Sequence, residues 1–323
     1  MEIIDGHTHI ASTRFIPPDF VEGVVDNMME QMRLTSVEVP RSRILDRLLA
    51  YYQDHEGRNQ LLEMDRLGIA RAVVLLPDFT YAFRCKGDAL SIAEMFWQHK
   101  LIRDRSDGRF EVFAGVDPRW GADGFRLFVK GIEEYGFAGL KLYPPCGYRP
   151  DDALLEPYYD YCQERRLPVL IHIGPTSPRL SFTEALPIFV DAPARKYANV
   201  SFILAHGAVS YPQECVQLCR YRPNVYLDLS GAQTHLANPD ARGELCQLFA
   251  RGINHKLIFG TDWPINTQTA LNRGLIKMFS IAPDVKPYIS AADTQWILSG
   301  TIKSILNRRR AAAGGVERSA DDA

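Results

Sequence analysis

The sequence has little of what marks secreted, membrane-spanning or nucleic-acid-binding proteins. Its six cysteines include no C-x-x-C pair, so reduced thiols in a cytoplasmic protein are the simplest interpretation. No apolar run approaches the ~18 residues of a membrane-spanning helix. The chain opens Met-Glu-Ile-Ile-Asp, without the basic and apolar segments of a signal peptide. A net charge of −2 over 323 residues leaves no basic field to attract nucleic acid or an anionic membrane.

Short β-branched apolar runs are present instead, and helical stretches separate most of them. Predicted strands lie at 3–7, 72–76, 110–116, 138–143, 169–173, 200–205, 225–229 and 257–259, with helices at 58–67, 89–102 and 154–165. Eight strands in such an alternation predict an α/β fold of the (β/α)8 TIM-barrel type. Continuous apolar runs suit strands that are buried on both faces. A doubly wound sheet shares the alternation, but the strand count and the positions of the polar residues favour the barrel.

The predicted organisation is one domain over residues 1–310 with an insertion at about 12–71, between the first and second strands. The insertion holds two helix-like stretches, 21–32 and 41–52, and is longer than one crossover needs. It follows the carboxyl end of a strand and should lie over the barrel mouth. A lid or substrate wall and an oligomer interface are both open interpretations. Residues 311–323 are rich in Ala, Gly and charge, which predicts a disordered tail.

The first strand ends in two histidines, His7 and His9. Residues two apart in a strand face the same side, so both imidazoles can bind one cation. Gly6 just before them permits close approach of the backbone. This spacing is common by chance, and the alternative is a pair of polar residues capping a strand end.

Further polar residues stand at the ends of later strands. His172 lies near the end of the fifth, His206 ends the sixth, and Asp262 follows the eighth. Barrel enzymes build their sites at the carboxyl ends of the strands. Four histidines and one carboxylate are therefore expected to converge on one face of the barrel.

The remaining histidines are assigned no catalytic role. His55 and His99 are expected on the surface, and His255 falls outside the strand ends. His235 follows the seventh strand in a loop that can border the site.

Five motifs occur in a characteristic order, and together they are specific although each alone is not. They are IDGHTHI, GLKLYPP with a following GYRPDD, LPVLIHIG, FILAHG and IFGTDWP. This order resembles the amidohydrolase superfamily. It is most similar to the amidohydrolase-2 branch, which includes the aminocarboxymuconate-semialdehyde decarboxylase group. The resemblance spans about 260 residues.

The resemblance implies a mononuclear metal centre. His7, His9, His172 and Asp262 would hold one divalent metal, Zn²⁺ in most of the family and Mn²⁺ as the alternative. A metal of this kind lowers the pKa of a bound water toward ~7, and Asp262 would accept a proton from that water. His206 would act as a general acid/base or polarise the substrate. Ligation of a second metal by His206 is the alternative, and it would need a carboxylated lysine as a bridge.

Lys141, on the fourth strand, is the candidate for that bridge. In a mononuclear centre its amine would instead bind a substrate carboxylate or structure the site; an ion pair with buried Asp228 or Asp5 is equally compatible. Other candidate substrate contacts follow strand ends, namely Arg84, Tyr143, Arg149, Arg179 and Trp263. Each arginine alone fits an exposed loop, but arginine is the bidentate partner of carboxylates. We therefore expect one of them to contact a bound anion, while Trp263 walls the pocket or packs behind the metal.

Three functions are compatible with these residues. The first is a metal-dependent hydrolase that cleaves a C–N or C–O bond (amide, ester or lactone) of a small, carboxylate-bearing substrate. The alternative is a non-oxidative, metal-dependent decarboxylase of an aromatic or enoic acid. A non-catalytic binding barrel is disfavoured because all five expected positions are filled. Dimers are common in the family, and the insertion is then a candidate homodimer interface.

Overall fold

The computed structural model describes residues 1–34, 38–84, 90–237, 239–265, 269–281 and 284–309. Eight parallel strands are hydrogen-bonded in the order β1 to β8. They are β1 Ile4–Thr8, β2 Arg71–Leu75, β3 Phe110–Gly115, β4 Gly139–Leu142, β5 Val169–His172, β6 Phe202–Ala205, β7 Val225–Asp228 and β8 Leu257–Ile258. This confirms the predicted (β/α)8 barrel.

Helices alternate with the strands. They are α1 Pro18–Leu34, α2 Arg41–Tyr51, α3 Arg58–Leu67, α4 Ile92–Asp104, α5 Gly121–Glu133, α6 Glu156–Arg165, α7 Asp191–Lys196, α8 Pro212–Tyr221, α9 Pro239–Phe249, α10 Thr269–Ile281 and α11 Ala291–Gln295. A π-helical stretch, Trp296–Gly300, joins α11 to a last helix at 301–309. In the part of the chain that the structure describes, no helix has the length and apolarity needed to span a bilayer.

Hydrogen bonds between β1 and the segment after β8 close the barrel. The Gly6 N–H donates to the Phe259 carbonyl at 2.8 Å, and the His9 N–H donates to the Trp263 carbonyl at 2.7 Å. A Cβ on Gly6 would lie 2.3 Å from Ile258 Cγ2, so glycine is what allows the two strands to approach. The closure brings the first and last motifs of the chain side by side.

The interior of the barrel is filled by apolar side chains. Ile4 and Phe113 belong to one buried cluster that also contains Ile302 and Ile305 of the helix at 301–309. The barrel is thus a packed core, and that last helix packs against it. Residues 310–323, which include the predicted tail, lie outside the described residues.

The insertion after β1 contains both predicted helices, now bounded as α1 and α2. Its start meets the segment after α2, because Ser12 and Gln53 form an antiparallel bridge and the Thr13 N–H donates to the Tyr52 carbonyl at 3.0 Å. The α1 helix packs closely on the loop after β5, where a Cβ on Gly23 would lie 2.0 Å from Ser177 Oγ. The part of the insertion that holds α1 and α2 is therefore closed at its base, and α1 is packed against a loop of the barrel.

His99 is buried, so the expectation that it lies on the surface was wrong. It is 1% exposed, its Nδ1–H donates to the Met95 carbonyl at 2.8 Å, and its ring lies 4.5 Å from that of Phe15. His99 belongs to the buried face of α4, with Ile92, Met95, Phe96 and Ile102. That helical spacing places it in the core despite its polarity.

The cysteines of the described residues carry free thiols. Cys146, Cys162, Cys215, Cys219 and Cys246 are all buried and form no disulfide. Cys85 lies outside the described residues. Burial raises the pKa of the Cys162 and Cys215 thiols, so they are apolar packing groups and not thiolates.

Candidate functional site

Three ligand-type atoms converge where β1 meets the segment after β8. His7 Nε2 lies 3.2 Å from His9 Nε2 and 3.5 Å from Asp262 Oδ1, and His9 Nε2 lies 3.6 Å from the same oxygen. The pairing of β1 with the last motif produces this arrangement, since the Asp262 N–H donates to the His7 carbonyl at 2.9 Å. Asp262 itself has a positive φ of 56°.

Each of the two imidazoles is oriented by a contact to its other nitrogen. His7 Nδ1 lies 2.5 Å from Asp228 Oδ2 at the end of β7, and His9 Nδ1 lies 2.9 Å from the Leu75 carbonyl of β2. Both partners accept hydrogen bonds, so each Nδ1 carries the proton and each Nε2 is left with a free lone pair. This support is typical of metal-binding histidines.

The spacing of these atoms fits one divalent cation. Imidazole and carboxylate ligands at 2.0–2.1 Å from a tetrahedral Zn²⁺ stand about 3.3 Å from one another. The three separations found here bracket that value. Burial, followed by the charges of His206 and Lys141, lowers the pKa of His7; the neutral imidazole is the form that binds metals.

His172 and His206 extend the cluster across the mouth. The His172 ring lies 4.8 Å from that of His206, which lies 4.6 Å from that of His7. His172 Nε2 is buried and has no hydrogen-bonding partner. It is not one of the three atoms that lie within 4.8 Å of each other. Because buried nitrogens usually have a partner, this unpaired nitrogen is available as a further metal ligand.

His206 is held by Ser230, which follows β7. Its Nδ1 lies 2.9 Å from Ser230 Oγ, and its backbone has a positive φ of 60°. Ser230 Oγ also lies 3.2 Å from His7 Nδ1. One hydroxyl therefore couples the orientation of His206 to that of His7.

Asp262 is an ionised carboxylate in this setting. Burial alone would raise its pKa, but the neighbouring histidines, His206 foremost, outweigh burial and lower it below 3.8. Below the cluster, Asp5 accepts hydrogen bonds from Thr261 Oγ1 at 2.6 Å and from the Thr261 N–H at 3.0 Å. Asp5 thus fixes the loop that presents Asp262.

Lys141 lies within β4 and is 1% exposed. Its Nζ has no hydrogen-bonding partner, and it forms no ion pair with Asp228 or Asp5, both of which have other partners. Burial lowers its pKa to about 7, against the opposing influence of Asp228 and Asp262. The alternative ion pair with either buried carboxylate is therefore not formed.

A cavity of about 310 Å³ opens above the cluster. His9, His172, His206 and Asp262 form part of its lining. Its walls are mainly apolar or aromatic, with Ile16, Phe20, Val24, Tyr52, Pro77, Phe79, Tyr143, Ile173, Pro175, Val209, Pro264 and Ile265, and with Asn27, Thr176 and Ser210 as polar members. No lysine or arginine of the described ranges is among the lining residues.

The predicted substrate contacts separate into two groups. Tyr143 lines the cavity, stacks at 4.4 Å on the His172 ring and donates to Thr176 Oγ1 at 2.9 Å. The three predicted arginines are not among the residues that line the cavity. Arg84 is exposed, Arg149 pairs with Asp151 at 3.0 Å, and Arg179 pairs with Asp19 at 2.7 Å.

Trp263 also lies outside the lining. Its backbone carbonyl accepts the His9 N–H at 2.7 Å, and its indole Nε1 is buried without a hydrogen-bonding partner. The neighbouring Pro264 and Ile265 face the cavity instead. His235 is half-buried and is not a lining residue either.

Sequence reasoning missed three features of the site. Asp228 was considered as a partner of Lys141, but it contacts His7. Tyr52 and Phe20 were not singled out, although both lie in the insertion and line the cavity. Their sequence neighbourhood carries no motif, so the assignment of the insertion to the barrel mouth was the only available signal.

Comparison with known proteins gives both a family and a fold. A family model described as "Amidohydrolase" matches residues 4–307. An uncharacterised TIM-barrel protein from Bordetella bronchiseptica is 18% identical with a TM-score of 0.66, covering 96% of this chain and 99% of that one. Among curated proteins, none matches the chain.

Two further solved structures resemble the chain over most of its length. A dihydroxybenzoic acid decarboxylase from a Polaromonas species, with bound manganese and the inhibitor 2-nitroresorcinol, is 18% identical (TM-score 0.61; 94% of this chain, 97% of that one). A probable 2-pyrone-4,6-dicarboxylic acid hydrolase from Acinetobacter baumannii, with bound citric acid, is 16% identical (TM-score 0.60; 95% and 100%). At these identities the likeness concerns the fold.

Proposed function

This chain belongs to the amidohydrolase family, and from that premise we propose that it is a metal-dependent hydrolase of a small substrate with an amide, ester or lactone bond. The observation that carries the proposal is the cluster of His7 Nε2, His9 Nε2 and Asp262 Oδ1 at the base of a cavity. Fixed ligands at the mouth of a barrel, next to a mainly apolar pocket, suit metal-assisted hydrolysis.

His7, His9 and Asp262 would hold the metal, with His172 as the fourth ligand. A divalent cation supplies Lewis-acid polarisation of a substrate oxygen and acidifies water. Imidazole and carboxylate donors suit Zn²⁺, and Mn²⁺ is the alternative; manganese is the metal bound in the Polaromonas decarboxylase.

The protein's own groups supply the proton transfers. Asp262 is ionised and lines the cavity, so its carboxylate can accept a proton. His206 lies across the cluster, with Nδ1 held by Ser230 at 2.9 Å, and its Nε2 is free to donate to a leaving group. The apolar walls exclude water from the substrate, which strengthens each of these polar contacts.

Decarboxylation of an aromatic or enoic acid is the second candidate, and the charge of the cavity favours it. The walls offer Phe20, Tyr52, Phe79 and Tyr143 to a flat substrate, and no described lysine or arginine lines them. Apart from the metal that the cluster would hold, a carboxylate in this cavity meets no described cationic side chain in the lining. Its poor solvation there favours its loss as CO₂. The acid needed to protonate the substrate carbon would be His206.

The proposal is tested on the purified protein with and without metal. We expect about one Zn²⁺ or Mn²⁺ per chain by elemental analysis, and loss of activity on chelation that the added metal restores. The double variant His7→Ala, His9→Ala should lose both metal and activity. His255→Ala changes an exposed histidine away from the site and should retain both.

Lactones, aryl esters and hydroxybenzoates form the substrate panel, and turnover in ¹⁸O-labelled water separates the two candidates. Label in the acid product identifies hydrolysis. CO₂ released without label in the aromatic product identifies decarboxylation. A wild-type protein without stoichiometric metal, active or not, would refute the metal-dependent function.

A further inference from the structure

Tyr52 is held at the edge of the cavity by its backbone. Its N–H donates to the Leu49 carbonyl at 3.1 Å and its carbonyl accepts the Thr13 N–H at 3.0 Å. The bridge between Ser12 and Gln53 continues this pairing. Tyr52, which follows α2, is therefore fixed to the chain segment that follows β1.

The Tyr52 side chain is buried, yet its hydroxyl is not used by the protein. The residue is 3% exposed and lines the cavity with His9, His206 and Asp262. Within the described ranges, its hydroxyl makes no hydrogen bond. The hydroxyl is not among the fully enclosed, unpaired polar atoms of the described residues, so a molecule in the cavity can reach it.

Tyr52 shares the lining of the cavity with Asp262 and Tyr143. Burial, and after it the charge of Asp262, raises the pKa of Tyr52, so the phenol remains protonated. The Tyr143 hydroxyl already donates to Thr176 Oγ1. Of these two phenols, Tyr52 is therefore the one that can donate a hydrogen bond into the cavity.

We propose that Tyr52 is a substrate-contacting residue whose hydroxyl donates a hydrogen bond to a carbonyl or carboxylate oxygen held beside Asp262. The inference rests on the proposed function for the location of the substrate, and it holds for hydrolysis and decarboxylation alike. The insertion would then supply a polar contact with the substrate in addition to part of the apolar wall of the cavity.

The test compares Tyr52→Phe with Tyr51→Phe in the metal-loaded protein. Tyr51 is the adjacent tyrosine, is 38% exposed and its hydroxyl contacts Arg47 on the outer surface, so it is a matched control. The probe is 2-hydroxybenzoate, whose dissociation constant is measured by calorimetry. Metal content and thermal midpoint are recorded for each variant, and kcat and KM for any substrate that the panel identifies.

We expect Tyr52→Phe to weaken probe binding about 10-fold and to lower kcat/KM by about 10- to 100-fold, as for loss of a buried hydrogen bond. Metal content should stay at the wild-type level, and Tyr51→Phe should match wild type throughout. Equal probe affinity in wild type and Tyr52→Phe overturns the inference, and so does failure of the wild type to bind the probe. Binding that depends on Tyr52 without turnover would reject the proposed function and leave the inference standing.

Discussion

At the scale of single residues, the orientation of His7 decides whether a metal site exists. Its Nδ1 contacts Asp228 Oδ2 at 2.5 Å and Ser230 Oγ at 3.2 Å, which leaves Nε2 directed at His9 and Asp262. Asp228 is fully buried and also accepts the Ser230 N–H at 2.6 Å. The carboxylate therefore selects both the tautomer and the rotation of the ring.

Replacement of Asp228 by asparagine should weaken metal binding about 10- to 100-fold, because the amide holds the His7 ring less firmly and makes it a poorer base. Competition with a chelator of known affinity measures the change. Asp123→Asn alters an exposed carboxylate that pairs with Arg126 on α5 and should leave the affinity unchanged. Wild-type metal affinity in Asp228→Asn would show that Asp228 does not position the ligand.

At the scale of elements, α1 is the wall of the cavity, and its distance from the barrel is set by packing more than by charge. Asp26 pairs with Arg41 at 2.8 Å and with Arg179 at 3.4 Å. These side chains are 38–44% exposed, so water and salt screen the ion pairs and each contributes little to stability. The contact of Gly23 with Ser177, in contrast, leaves no room for a methyl group.

Gly23→Ala should therefore push α1 away from the loop after β5 and open the cavity wall formed by Phe20 and Val24. We expect KM to rise several-fold and the free energy of unfolding to fall by about 1–3 kcal/mol, as for overpacking. Gly243→Ala on α9 is the control, because a Cβ there meets nothing within 4 Å. That change should stabilise by about 0.5–1 kcal/mol. Unchanged KM in Gly23→Ala would mean that α1 does not shape the substrate site.

At the scale of the whole molecule, a buried histidine makes stability depend on pH. Burial lowers the pKa of His99 from 6.5 to about 4, and the ring packs between α4 and Phe15 of the insertion. Between these values the unfolded chain binds a proton that the folded chain does not. Stability is therefore complete above pH 6.5 and is lost as the pH falls toward 4.

The difference of about 2.5 between the two pKa values (6.5 − 4) corresponds to about 3–4 kcal/mol, at about 1.4 kcal/mol per pH unit. His99→Leu should reduce the loss of unfolding free energy between pH 6.5 and 4 by that amount, as measured by urea denaturation at each pH. His255→Leu, at an exposed position, should keep the wild-type slope. An identical slope in His99→Leu would show that His99 does not titrate as expected.

Much of the fold was predictable because strand burial leaves a local trace. The eight apolar runs correspond to β1 to β8 within a few residues, and 58–67 is α3. His99 was also within reach of sequence reasoning, since it shares the helical spacing of Met95 and Ile102. A polar side chain favours the surface, whereas the helical spacing favours the core. The spacing is the better guide for His99.

The sequence by itself determined which residues stand at the carboxyl ends of strands, and hence that His7, His9 and Asp262 could bind one metal ion. Alternation along a strand and the order of the motifs are local properties, so they can be read without coordinates. The tertiary structure decided the partners. Asp228 contacts His7 across 221 positions of sequence, and Tyr52 lines the same cavity as Asp262. Barrel closure and the folding-back of the insertion bring these segments together, and their separation in sequence carries no signal.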